Sequence, residues 1–257
     1  MKNILWIGLI LLMLGVWTWQ QFPDGKLRLI FCDVGQGDGA VISLGYFQAM
    51  IDTGESGEKI LDCLSDHMPY WDKRLEVVFL SHPDSDHAGA LPEIERSYEV
   101  GRVIRSAGLG DIVRIRDLQF EVLSRGSLGS QTGDDGCETT NECSMVIRVV
   151  YKKFSGLFTG DMGEKEELAL LGRGVIKESD VLKVAHHGSK FSSTIEFLET
   201  LRPELAVISV GAKNRYGHPT SDTLSRLDAV GAKVMRTDER GIIEVVTDGE
   251  QSWVVKK

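Results

Sequence analysis

His82-Pro83-Asp84-Ser85-Asp86-His87 constrains this chain more than any other segment. The apolar run Val77-Val78-Phe79-Leu80 precedes it and Ala88-Gly89-Ala90-Leu91 follows. A buried strand is therefore predicted to deliver two imidazoles and two carboxylates into one turn ahead of a helix. Neutral nitrogen and anionic oxygen together suit hard and borderline divalent metals. Without a cation to offset their charge, Asp84 and Asp86 would repel each other. A helix cap accounts for one such residue, Ser85 or Asp86, and leaves the others unexplained.

Three more strand ends carry the same residue types: Asp161 in Thr159-Gly160-Asp161, the run His186-His187-Gly188-Ser189, and His218 in Tyr216-Gly217-His218-Pro219. Of the six histidines only His67 stands outside these clusters. A carboxylate such as Asp161 can bridge two cations, and cations roughly 3.5–4 Å apart can hold both a nucleophilic hydroxide and phosphate oxygens. Taken singly the clusters have plainer readings, as turns or as a helix start with one ring buried. Asp33, in Asp33-Val34-Gly35-Gln36-Gly37-Asp38, and Asp52, in Ile51-Asp52-Thr53-Gly54, are read as carboxylates behind ligating histidines. A structural turn is the alternative for each. The glycines of the first segment do not form a dinucleotide fingerprint, because no helix follows.

A formal charge of −9 argues against a broadly basic nucleic-acid surface but leaves room for a local groove. Lys183, Lys190, Lys213 and Arg215, with Ser189, fall at the same strand ends and are read as a small basic rim able to hold a phosphodiester backbone. A solvated helix face is the alternative. Aromatic residues beside them are few, chiefly Phe191 and Tyr216, so tight sequence reading is not expected.

Met1-Lys2-Asn3 is followed by an uncharged run from Ile4 to Trp19, the layout of a secretory signal or membrane anchor. The run is slightly shorter than the ~20 residues that span a bilayer comfortably, and Trp17 and Trp19 suit an interface. No small-x-small cleavage pattern follows it. Residues 1–22 are accordingly read as an uncleaved signal anchor, with a cleaved signal peptide, and hence a secreted protein, as the alternative. Lys2 places the body outside the cytoplasm by the positive-inside tendency. Residues 26–257 read as one domain without a linker, strands first and then strand-helix alternation, which implies two packed sheets with helices outside. Cys32 and Cys63 sit in periodic apolar patterns as small buried hydrophobes. Cys137 and Cys143, in a polar stretch, are the candidates to close a disulfide loop.

The succession Asp33-Val34-Gly35-Gln36-Gly37-Asp38, Ile51-Asp52-Thr53-Gly54, Ser81 to Gly89, Phe158-Thr159-Gly160-Asp161 and Ala185-His186-His187-Gly188-Ser189 resembles the metallo-β-lactamase superfamily, and within it the carboxy-terminal domain of ComEC-type competence proteins. The resemblance implies an α+β, four-layer αββα sandwich with a metal site at one edge. It also implies that His82, Asp84, Asp86, His87, Asp161 and His218 coordinate one or two divalent ions, zinc or manganese, with Asp161 as the bridge. His186 and His187 would add a further ligand or contact the scissile phosphate; with Asp86 they form the expected catalytic set, and Ser189, Lys190 and Lys213 the substrate-binding set. Two departures from the family pattern stand out. Asp84 replaces the usual second histidine, which favours oxygen-loving ions such as manganese, and the isolated histidine expected before Asp161 is missing. The activity so implied is hydrolysis of a phosphodiester, with DNA taken up during competence as the leading substrate and a DNA-uptake channel as a candidate partner. Alternatives are a cell-envelope phosphodiesterase acting on choline-phosphate or teichoic-type polymers, and a non-catalytic nucleic-acid-binding module of the same fold.

Overall fold

A computed structural model describes residues 6–10, 12, 13, 15, 22–124 and 144–255. The expected Cys137–Cys143 bridge lies outside the described residues, as does much of the expected anchor. Residues 6–10, 12, 13 and 15 are helical, and no helix among the described residues is long and apolar enough to cross a membrane.

Strands β1 (Leu27–Phe31), β2 (Gly39–Leu44) and β3 (Phe47–Thr53) form a meander that leads into helix α1 (Gly57–His67). Short strands β4 (Arg74–Leu75) and β5 (Val77–Phe79) follow, then helices α2 (Ser85–Ala88) and α3 (Leu91–Ser97), and strands β6 (Glu99–Val100), β7 (Val103–Ile104), β8 (Ile112–Ile115) and β9 (Leu118–Ser124). The second half runs β10 (Val146–Tyr151), β11 (Phe154–Phe158), α4 (Glu164–Gly172), β12 (Val181–Lys183), α5 (Ile195–Leu201), β13 (Leu205–Ile208), α6 (Ser221–Ala229), β14 (Lys233–Arg236), α7 (Thr237–Arg240), β15 (Ile243–Thr247) and β16 (Ser252–Val254). One sheet has the order β16-β15-β1-β2-β3-β5-β7 and the other β14-β13-β12-β11-β10-β9-β8.

Strand alternation builds the layers. Leu27, Leu29 and Phe31 of β1 face a core shared by both sheets, where they meet Val181, Leu205 and Val207. Ile30 and Cys32 face the opposite way, onto Ile60, Cys63 and Leu64 of α1. Leu182 and Ala206 likewise face outward, onto Phe197, Leu198 and Leu201 of α5. Three apolar layers between four structural ones follow directly from a period of two in the strands and i, i+3, i+4 spacing in the helices.

Val100 to Ile104 is divided between sheets: β6 pairs with β4, and β7 with β5. Two local expectations change. The chain continues from Lys183 not into a helix but into a tight turn in which His186 and His187 are left-handed. Cys32 and Cys63 are not separate hydrophobes; they form a disulfide with Cα atoms 5.8 Å apart, tying the end of β1 to α1.

Candidate metal centre

β1, β3 and β5 run in one direction in the first sheet, as do β11, β12 and β13 in the second. Their carboxyl ends therefore converge on one edge of the sandwich, where Asp38, Asp52, the segment His82 to His87, Asp161 and His187 come together. Two glycines allow that convergence. Gly37, at φ +125, brings the loop after β1 against α2, where a Cβ would fall 2.2 Å from the Asp86 carbonyl oxygen; the Asp38 N–H donates to that same oxygen at 2.9 Å. Gly160, at φ +51, lets the loop after β11 pass Ser81 and Ser144. Asp52, His186 and His187 are left-handed as well (φ 58, 49 and 54), a conformation that costs a non-glycine residue roughly 1–3 kcal/mol and concentrates at functional sites.

Asp86, His87, Asp161 and His187 form one group, with a ligand atom from each within 4.8 Å of the others. Both imidazoles are held from behind. The His87 Nδ1–H donates to Asp52 Oδ2 at 2.9 Å, which turns Nε2 to within 3.2 Å of Asp161 Oδ1. The His187 Nδ1–H donates to the Ser209 carbonyl at 2.9 Å, leaving Nε2 3.2 Å from Asp86 Oδ2 and 3.6 Å from Asp161 Oδ1. An acceptor behind each ring that sets the tautomer is the usual support of a metal-ligating histidine. Asp161 offers its other oxygen, Oδ2, to His186 Nε2 at 3.7 Å.

The remaining predicted ligands border this group. His82 is fully buried, its ring 4.0 Å from that of His87, its Nδ1 beside Ser81 Oγ and its Nε2 3.8 Å from half-exposed Asp84. His218 lies 5.8 Å from His186, ring to ring, and is stacked by Tyr216. The buried atoms His82 Nε2, His87 Nε2, Asp161 Oδ1 and His218 Nδ1 have no hydrogen-bond partner. Orphaned polar atoms in a buried cluster are costly unless a ligand satisfies them, and this mixed nitrogen and carboxylate set fits a divalent cation.

Electrostatics point the same way. Burial works against a charged His87, yet Asp161, Asp52 and Asp38 hold its pKa well above the usual value. His187 is pushed up to about 9 against the same burial cost by Asp161 and Asp38. Asp161 is likewise buried, and His87 and His187 hold its carboxyl well below the usual range. Burial and the neighbouring His87 push His82 down. The protons so held on His87 and His187 are the ones a cation would displace.

Two residues at the centre were not legible as such. Asp38 is buried, with Oδ1 3.2 Å from His187 Nδ1 and Oδ2 3.8 Å from His87 Nδ1. Lys183, read above as part of an exposed rim, is buried and donates to Asp38 Oδ2 and to the Val184 carbonyl. A lysine inside the apolar strand Val181-Leu182-Lys183-Val184 was the available signal, since lysine is almost never buried unpaired. Asp33 takes the turn alternative: it accepts from the Gly35 N–H of its own loop and pairs with Lys59 on the surface. Ser189 is buried and its Oγ accepts the Phe191 N–H. Lys190, Lys213 and Arg215 are exposed, with Lys190 Nζ 4.9 Å from the Phe191 ring and Arg215 6.0 Å from that of Tyr216.

The family model of the metallo-beta-lactamase superfamily matches residues 47–212. Among curated proteins the chain is 29% identical to ComE operon protein 3 of Bacillus subtilis over 86% of its own length and 33% of that protein. It is 31% identical to competence protein ComA of Neisseria gonorrhoeae (86% and 32%) and 30% identical to recombination protein 2 of Haemophilus influenzae (93% and 31%). The chain thus spans about a third of the length of these relatives. Among solved structures, the metallo-beta-lactamase fold protein YhfI of Bacillus subtilis superposes with a TM-score of 0.57 at 10% identity, covering 89% of this chain and all of that one. The metallo hydrolase Igni18 of Ignicoccus hospitalis gives 0.53 at 13% identity, over 90% and 99%. The two seven-stranded sheets, the ligand-bearing edge and the matched family model together place this chain in the metallo-beta-lactamase superfamily, with the ComEC-type competence proteins among its relatives.

Proposed function

We propose that this protein is a metal-dependent phosphodiesterase that acts on DNA outside the cytoplasm, next to the membrane, in connection with DNA uptake. The observation that carries the reading is the donor group Asp86, His87, Asp161 and His187, with both Nε2 atoms turned inward and Asp161 divided between that group and His186. A divalent cation bound there supplies Lewis-acid stabilisation of charge and acidifies coordinated water. The protein's own residues do the rest. Asp52 and the Ser209 carbonyl fix the two rings, and Asp38 and Lys183 supply a balanced pair of charges behind them. To half-buried His186, beside Asp161 Oδ2, we assign contact with the scissile phosphate. Burial, and then the neighbouring His186 and His187, push the His218 pKa down at the same edge. Lys190, Lys213 and Arg215 offer exposed cations for neighbouring phosphates, and Phe191 and Tyr216 offer faces on which bases can stack without sequence reading.

The names of two relatives, competence protein ComA and recombination protein 2, support DNA as the substrate. Placement outside the cytoplasm is supported by the Cys32–Cys63 bridge, since disulfides persist in oxidising compartments, and by the uncharged run Ile4 to Trp19. Manganese and zinc both suit the two nitrogen and two carboxylate donors of this group. The test is metal analysis of the purified protein followed by manganese-dependent hydrolysis of DNA and of a chromogenic phosphodiester. Cleavage of both, abolished by chelation, is the expected result. Hydrolysis of the chromogenic ester but not of DNA would point to an envelope polymer, and DNA binding without any hydrolysis to a binding module.

A further inference from the structure

The two ends of the first sheet expose different chemistry. At the end opposite the metal centre, the β2–β3 turn carries Tyr46, the loop after α1 carries Tyr70 and Trp71, and Phe22 leads into β1. Phe22 and Trp71 lie with ring centroids 6.1 Å apart, and Tyr70 packs edge-on to Trp71 at 4.8 Å. Tyr46 stands on the β2–β3 turn at the same end of the sheet. Phe22, Tyr46 and Tyr70 are 58%, 59% and 60% exposed and Trp71 is 41% exposed. Scattered apolar side chains on a surface need no explanation, but a contiguous cluster does.

The make-up of the patch narrows what covers it. It contains tyrosine, tryptophan and phenylalanine rather than valine or leucine, and such rings settle where an apolar phase meets water. Its position narrows the choice further, because Phe22 directly follows the run that ends at Trp19, Gln20 and Gln21. In the described part of that run Trp6, Ile7, Leu9, Ile10, Leu12 and Met13 are all exposed, so these six side chains are not buried against the body.

We propose that the aromatic end of the sandwich rests on the bilayer surface as a collar around the point where the N-terminal segment leaves the body. This rests on the reading of that segment as a membrane anchor. β3 crosses the sheet from the collar to the metal end in seven residues, about 20 Å at ~3.3 Å per residue. The metal centre is thereby held clear of a headgroup layer that is roughly 5–8 Å thick per leaflet, and its open edge, with Lys190, Lys213 and Tyr216, faces away from the lipid.

The test uses the full chain reconstituted into vesicles of phosphatidylethanolamine and phosphatidylglycerol, with Trp6→Phe, Trp17→Phe, Trp19→Phe and Trp253→Phe substituted so that Trp71 is the sole indole. Flotation reports attachment, and lipids brominated at different depths report where the ring lies. The expected result is co-flotation, a blue-shifted Trp71 emission, and strongest quenching by bromines near the headgroup end of the chains, within the ~5–10 Å typical of interfacial side chains. Moving the indole to the metal end, with Trp71→Phe and Tyr216→Trp, should give an unquenched, water-like emission. Co-flotation with an unquenched Trp71 would overturn the collar while leaving the anchor standing. Quenching at position 216 instead would place the opposite end on the lipid and also overturn it. Failure to float would remove the anchor and the collar together.

Discussion

Breaking the Cys32–Cys63 bridge should cost stability in proportion to the loop it closes. The cysteines are 31 residues apart, and the chain-entropy relation for a loop of that length yields about 3.7 kcal/mol at 25 °C. In a domain of this size each kcal/mol moves the melting temperature by roughly 2–4 °C, so the loss should amount to about 7–15 °C. Both sulfurs are buried between β1 and α1, and the bridge is followed immediately by the loop that delivers Asp38 and touches Asp86. Reduction should therefore weaken cation binding as well as lower the melting temperature. The comparison is of oxidised protein, reduced protein and a Cys32→Ala/Cys63→Ala double variant, all chelator-treated, by urea and thermal unfolding. Coincident midpoints for the oxidised and reduced forms would refute the reasoning, as would two free thiols at these positions in protein recovered from the cell envelope.

Asp52→Asn removes the carboxylate behind His87 and should weaken cation affinity ~10–100-fold with the fold retained, measured by competition with a fluorescent chelator. Lys183→Met leaves the Asp38 carboxylate buried without its cation and should destabilise by about 3–5 kcal/mol; adding Asp38→Asn should recover part of that loss in urea unfolding. The raised imidazoles set a pH dependence. A group whose folded pKa lies above its unfolded value stabilises fully below the latter and loses that contribution as pH rises through the former. With His187 pushed from 6.5 to about 9, and His87 raised too, chelator-treated protein should melt progressively lower between these pH values. Cation-loaded protein should not follow that decline, because the cation replaces the protons; parallel melting curves for the two forms would contradict the coupling.

Much of the site could be read from the chain because ligands at one strand end are contiguous in sequence. Asp86 and His87 follow β5 within one turn, and Asp161 and His187 end strands whose apolar runs are easily seen. The Asp38–Lys183 pair joins residues 145 positions apart, and nothing local in either segment points to the other. The same holds for Cys32 and Cys63, each of which fits its own apolar pattern; only the packing of α1 on β1 brings them together. The split of Val100 to Ile104 depends on Gly101, whose N–H goes to Leu75 while Val103 joins β5. The pairing of β15, Ile243–Thr247, with β1 is long-range in the same way, closing the end of the body against its beginning. Lys183 and Ser189 were placed on the correct edge but at the wrong depth, since position after a strand says little about whether a side chain turns inward.

The central claim is that Asp86, His87, Asp161 and His187 hold a divalent cation. Calorimetric titration of manganese and of zinc into chelator-treated full-length protein, repeated in buffers of different ionisation enthalpy, tests it most directly. The wild-type chain should bind with protons released from the two raised imidazoles, and Asp86→Ala/His87→Ala should stay folded and lose the binding. Equal binding by that double variant, or none by the wild-type protein, would contradict the assignment.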